Sequence, residues 1–182
     1  MPNWCNNTLE LTHSNPKMIE RAKDSFAQGS FLNEFIPMPN ELRGTQSPPR
    51  KEDAEANAVL KAKYGYDNWY DWASANWGVK WDVGRQGSEF YSAEHPNNLI
   101  LHFDSPWAPP IVAIETLQEL GFTCRLSYWE SGMCFAGVWA EGQDNFYSLS
   151  DLNAEQIKTT IPKELDHAFG ISGWISQMEE MQ

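Results

Sequence analysis

The chain has 182 residues, 41% of them apolar, and its 13 Lys/Arg against 25 Asp/Glu give a formal net charge of −12. That is enough for one domain with a real core and no metal or disulfide staples. It argues against direct duplex binding, because phosphate contacts need clustered cations and only Arg50-Lys51 offers a pair. No apolar run approaches bilayer length, and the start Met1-Pro-Asn-Trp-Cys5 lacks the basic and apolar parts of a leader, so no membrane is engaged and a cytoplasmic protein is expected.

Cys5, Cys124 and Cys134 show no C-x-x-C spacing, so neither zinc nor an iron–sulfur cluster is implied, and no cofactor is expected. The charge is uneven. Residues 1–70 hold 8 Lys/Arg and 9 Asp/Glu, a net of −1, while residues 71–182 hold 5 and 16, a net of −11. An acidic half can steer toward a basic partner surface, including a groove that otherwise holds nucleic acid; charge of this size also simply keeps a protein soluble.

In chain order, Trp4 to Thr12 alternates as a half-buried strand, with Cys5, Asn7, Leu9 and Leu11 on one side and Trp4, Asn6, Thr8 and Glu10 on the other. Asn15 as N-cap and Pro16 at the first helical position open a helix carrying Ile19, Ala22 and Phe26, which Gly29 ends. Phe31, Leu32, Phe35 and Ile36 then return toward the core. Residues 37–50 read as an exposed loop, and Lys51 to Tyr64 as a short helix closed by Gly65. Trp77, Val79, Trp81 and Val83 alternate with Gly78, Lys80 and Asp82, which predicts a second strand. Asn98 to Asp104 predicts a third.

Pro109-Pro110 starts a helix bearing Ile111, Ile114, Leu117 and Leu120, stopped by Gly121. Phe122 to Trp129 and Met133 to Ala140 alternate on either side of Glu130-Ser131-Gly132, a hairpin. Asn153 and Thr160 look like N-caps of short C-terminal helices; Gly170 ends one and Ser172 begins the last. The order predicts an α+β chain with the ferredoxin-like α/β sandwich, an antiparallel sheet with helices on one face. Residues 1–182 form one domain, with an insertion at 37–76 after the first helix, the extra strand at 133–140, and a C-terminal extension at 141–182 that brings helices.

Five blocks then stand out. Met1-Pro-Asn-Trp-Cys5, Asn68-Trp-Tyr-Asp-Trp72, Trp77-Gly-Val-Lys-Trp-Asp82, Ser105-Pro-Trp-Ala-Pro-Pro110 and Tyr128-Trp-Glu-Ser-Gly-Met-Cys-Phe-Ala-Gly137 together resemble the YubB-like proteins with a ferredoxin-like domain, carried on bacteriophages and plasmids. The resemblance implies the fold and a mobile-element setting, and it transfers no catalytic residues. It ends near residue 140.

If Trp77, Val79, Trp81 and Val83 face the helices, Lys80 and Asp82 lie on the open sheet face beside Glu10, His102, Arg125 and Trp129. That mixed patch could bind an anionic small molecule or do acid–base work; the plainer alternative is a solvated face with weak cross-strand ion pairs. Trp69, Tyr70, Trp72 and Trp107 occupy loop or insertion segments, where they could stack a base, anchor a partner, or pack as a lid over the open face. Glu130, at the hairpin turn, completes the candidate set.

No P-loop, Rossmann glycine pattern, nucleophile elbow or H-E-x-x-H helix is present in the sequence. The first expectation is therefore a non-enzymatic, acidic binding protein of a phage or plasmid, whose partner is a host or phage protein with a basic surface. The alternative is a small-ligand or nucleotide-binding domain using the open face.

Overall fold

A computed structural model describes residues 3–84, 89–91 and 95–181, with the backbone alone for 89–91. Strand β1 (Trp4–Thr12) buries Cys5, Asn7, Leu9 and Leu11, the side its alternation predicts. In α1 (Pro16–Gln28) the Asn15 side chain accepts from the Lys17 N–H, Gly29 closes the helix in the left-handed region, and Ile19, Ala22 and Phe26 face inward. The short α2 (Phe31–Phe35) buries Phe31, Leu32 and Phe35.

Residues 37–50 are not wholly an exposed loop. One helical turn, α3 (Asn40–Arg43), drives Leu42 fully into the core. A 3₁₀ turn at Lys51–Asp53 leads into α4 (Ala54–Tyr64), which buries none of its side chains completely. Then comes α5 (Trp69–Trp77), capped by the Asn68 side chain accepting from the Asp71 N–H and closed by Gly78 at φ 80°.

This helix overturns the predicted second strand. Trp77 is the last residue of α5, not the first of a strand, and its indole N–H donates to the Ile36 carbonyl at 3.0 Å. Gly78 then turns the chain by a left-handed step that a strand does not contain. Residues 78–83 are irregular, and the strand that occupies this place in the sheet is β2 (Glu89–Tyr91).

Strand β3 (Asn98–Pro106), helix α6 (Ile111–Glu119) and the hairpin of β4 (Thr123–Glu130) and β5 (Phe135–Ala140) fall where the sequence puts them. Strand β6 (Gln143–Ser148) was not foreseen, because an edge strand with nearly all its side chains in solvent has no apolar alternation to read. Its signal is the two-residue turn Glu141-Gly142, both at positive φ, which pairs Ala140 with Gln143.

The chain ends in α7 (Ala154–Thr160), α8 (Lys163–Phe169) and α9 (Ile171–Glu180). Asn153 and Gln156 form the capping box of α7. Thr160 closes α7 rather than opening a helix, since Pro162 forces the chain to restart. Ser172 lies inside the first turn of α9.

The described strands form a six-stranded sheet in the order β2-β3-β1-β4-β5-β6, every neighbour antiparallel. The first four in that order are the ferredoxin-like core, and β5 and β6 extend it at the β4 edge. The main core lies between one sheet face and α1, α2, α5 and α6, joining Leu9, Leu101 and Leu126 to Phe26, Trp72, Trp77 and Ile114. A second core lies on the opposite face, where Trp129, Ala136 and Val138 meet Ile157, Leu165, Ile171 and Ile175 of the C-terminal helices. The extension thus covers the β4–β5 half of the face that the ferredoxin-like helices leave bare.

Candidate functional site

Three tryptophans that the chain keeps in water converge at one end of the central strands. Trp4 is 43% exposed, Trp81 42% and Trp107 47%, although each could bury a large apolar surface. Trp4 opens β1 directly opposite Pro106 at the end of β3, Trp107 follows that strand, and Trp81 comes from the irregular segment after α5. The Trp4 and Trp81 rings lie 6.1 Å apart. Between Trp81 and Trp107 sits the Lys80 ammonium, 3.9 Å from both ring centroids. Among the described residues no carboxylate forms an ion pair with it.

The backbone holds this arrangement at a cost. Trp107 has φ 68°, a conformation that costs a residue with a Cβ roughly 1–2 kcal/mol. Its N–H donates to the Asn3 carbonyl at 2.9 Å, and the Ser105 hydroxyl donates across the turn to the Ala108 carbonyl at 2.7 Å. The buried Asn7 amide donates to Ser105 Oγ at 2.8 Å and to the Cys5 carbonyl at 2.7 Å, tying the turn to β1. A strained residue fixed by a buried network, with its ring in solvent, marks a constrained display.

Beside this platform runs the uncovered half of the open face, with Trp4, Asn6, Thr8 and Glu10 in line along β1. Its polar groups pair across strands. The Asn6 amide donates to the Asp104 carboxylate at 2.6 Å, Thr8 Oγ1 lies 3.0 Å from His102 Nδ1, and Arg125 Nε lies 3.6 Å from Glu10. The end of α8 walls one side, leaving a cleft of about 240 Å³ lined by Asn6, Thr8, His102, Asp104 and Phe169.

Of the residues singled out in the sequence, the structure brings Lys80 and Trp107 together, and separately places His102 and Arg125 on the open face. Asp82 is not on that face. Its carboxylate accepts the Leu32 and Asn33 N–H groups at 2.6 and 3.0 Å, capping α2, and burial raises its pKa above the ordinary 3.8 even against those bonds. Trp129 does point to the open side, but it is buried under α9 with its ring 5.8 Å from Trp174.

Glu130 is fully buried and serves the hairpin turn, accepting from the Gly132 and Met133 N–H groups at 2.9 and 2.6 Å. Trp69, Tyr70 and Trp72 belong to α5, not to a loop. Trp72 is buried against Trp77 and Trp69 packs on the main core, so the aromatic insertion joins the helical layer and forms no lid over the open face. Trp4 and Trp81 were not among the candidates as a pair, because the assumed strand turned Trp81 inward; only tertiary contact unites them.

The thiols carry no sign of reactivity. Burial raises the pKa of Cys5, with the Glu130 charge adding to it, and lifts Cys124 to about 12. A wider depression of about 710 Å³ on the C-terminal helices interleaves Lys158, Lys163 and His167 with Glu164 and Asp166. Two of these groups are committed: Lys158 pairs with Glu155, and Asp166 accepts from the Ser172 N–H and hydroxyl at 2.7 Å each. Among the described residues no group of three or more His, Cys, Asp or Glu is placed to hold a metal ion, and no helix is long and apolar enough to cross a membrane.

Neither a protein-family model nor a curated protein matches the chain. A solved structure similar to it is the crystal structure of a protein api92 from Yersinia pseudotuberculosis, of the family model DUF1281, at 12% identity and a TM-score of 0.47, covering 81% of this chain and 98% of that one.

Proposed function

We propose that this chain is a non-enzymatic interaction protein that docks a partner protein on the Trp4–Trp81–Trp107 platform, with its acidic half drawing a basic surface toward it. The observation that carries this reading is the platform itself: three indoles 42–47% exposed, gathered from three separate segments, one on strained backbone. Exposed, rigidly held tryptophans match the chemistry of interface hot spots, which gain most of their energy from aromatic side chains desolvated by a partner. The net charge of −11 over residues 71–182 suits a basic partner, such as a host or phage protein with a nucleic-acid-handling groove. The resemblance of the five sequence blocks to phage- and plasmid-borne proteins supports that setting. Pairwise use of Asn6, Thr8, Glu10, His102, Asp104 and Arg125 across the sheet favours binding over acid–base work.

The test is affinity capture from a bacterial lysate with the wild-type chain and with Trp81→Ala/Trp107→Ala, at low and high salt. The wild type should retain a defined protein that raised salt releases and the double variant does not bind. Equal retention by the double variant, or no effect of salt, would sink the reading.

A second reading has its own observation in the cleft closed by Phe169, whose polar floor and aromatic wall suit a small planar ligand. It expects nucleotides and related compounds to shift the His102 ring resonances in a saturable way, and the absence of such shifts at millimolar ligand ends it.

A further inference from the structure

We propose that Trp81 and Trp107 form a cation clamp which Lys80 fills in the unbound protein and which an arginine side chain of the partner takes over on docking. This rests on the docking reading above and names the group recognised. The clamp is seen holding a cation: one ammonium stands 3.9 Å from the centroids of both indoles, well inside the range in which ring faces attract positive charge. Two aromatic faces around one cation is how proteins grip ammonium groups, and among the described residues no carboxylate forms an ion pair with Lys80.

The exchange has a physical direction. A lysine ammonium is strongly hydrated and regains water when it leaves, whereas a guanidinium is weakly hydrated, planar and stacks on aromatic faces, so it gains more from the same two rings. Lys80 lies in the irregular segment after α5, outside any helix or strand, so its side chain can swing away without breaking a ladder hydrogen bond. The chain's net charge of −12 favours a replacement cation over an anion seated on Lys80.

The sign of the Lys80→Ala effect tests this. A capped Gly-Arg-Gly peptide, with its citrulline counterpart as the neutral isostere, is titrated into ¹⁵N-labelled protein while the indole N–H resonances of Trp81 and Trp107, assigned through W81F and W107F, are followed. The arginine peptide should shift both resonances and the citrulline peptide neither. Lys80→Ala and Lys80→Gln should tighten binding by about threefold to tenfold, by vacating the clamp, and Trp107→Ala should abolish the shifts. Weaker or unchanged binding in both Lys80 variants, or no arginine-dependent shift in the wild type, overturns the clamp. The same two variants in the lysate capture separate the proposals: partner lost with the tryptophans and also weakened by Lys80→Ala leaves the docking surface standing and removes the exchange. Capture that survives the tryptophan substitutions removes the docking surface itself.

Discussion

Two groups of tryptophans in this molecule have opposite fates. Trp72 and Trp77, on α5, are 7% and 5% exposed and meet edge to face at 5.5 Å, with the Trp77 N–H satisfied by a backbone carbonyl. Trp4, Trp81 and Trp107 keep more than two-fifths of their surface in water, and Trp81 and Trp107 flank a cation. The first group is crowded in sequence and does the ordinary work of a core. The second is scattered over more than a hundred positions and forms the surface feature that a core would not need. Density of aromatic residues along a chain therefore points to packing, while convergence in space without burial points to recognition.

The comparison breaks most readily at Trp77. Trp77→Ala should remove about 3–5 kcal/mol of stability, read from urea unfolding, because it leaves a cavity and an unpaired Ile36 carbonyl beneath α5. A loss under about 1 kcal/mol would mean that the helical layer repacks and that the contrast with the platform is one of degree.

Asp82→Ala comes next, since it shares the irregular segment with Trp81 but points inward. Leaving the Leu32 and Asn33 N–H groups without acceptors should cost about 1–3 kcal/mol. Its pH dependence carries a sign of its own. Burial holds the Asp82 pKa above 3.8, so folding takes up a proton there, and the stability this contributes is present below the unfolded value and lost as pH rises through the folded one. Urea midpoints of the wild type measured against Asp82→Asn should therefore fall relative to the variant as pH climbs above 3.8. A difference that stays flat would mean the carboxylate is no harder to ionise in the fold than outside it.

The smallest effect, of opposite sign, belongs to Trp107→Gly. Glycine adopts φ 68° without the Cβ penalty, so the variant should gain up to about 1 kcal/mol while losing partner capture. A marked loss of stability instead would show that the Trp107 ring contributes to the fold and would blunt the distinction between the two groups.

Most of the fold was legible because it obeys local rules. The alternation in β1, β3, β4 and β5, the Asn15-Pro16 and Asn153 caps and the Gly29 stop each declare themselves within a few residues. Trp77 to Val83 alternates with a period of two, yet the helix bounded by Asn68 and Gly78 claims Trp77 and turns the chain out of that pattern; the cap pair is the local signal that outweighs the alternation. Strand β6 escaped because exposed edge residues need no apolar pattern. Of the site, strand period places His102 and Arg125, whereas Asp82 and Trp129 depart from it because capping and covering by a helix depend on segments far away in the chain; Glu130 instead closes its own turn through the Gly132 and Met133 N–H groups.

What the amino-acid order determined alone is strands β1, β3, β4 and β5, the capped helices α1 and α7, the acidic balance of the second half and the ferredoxin-like sandwich, since each element follows from neighbours within a turn or a strand's length. What only the tertiary structure decided is which tryptophans are spared burial, that α7 to α9 cover half of the open face, and that Lys80 comes to rest between two indoles. Those outcomes depend on long-range packing, in which a side chain's surroundings are supplied by residues that no local pattern connects.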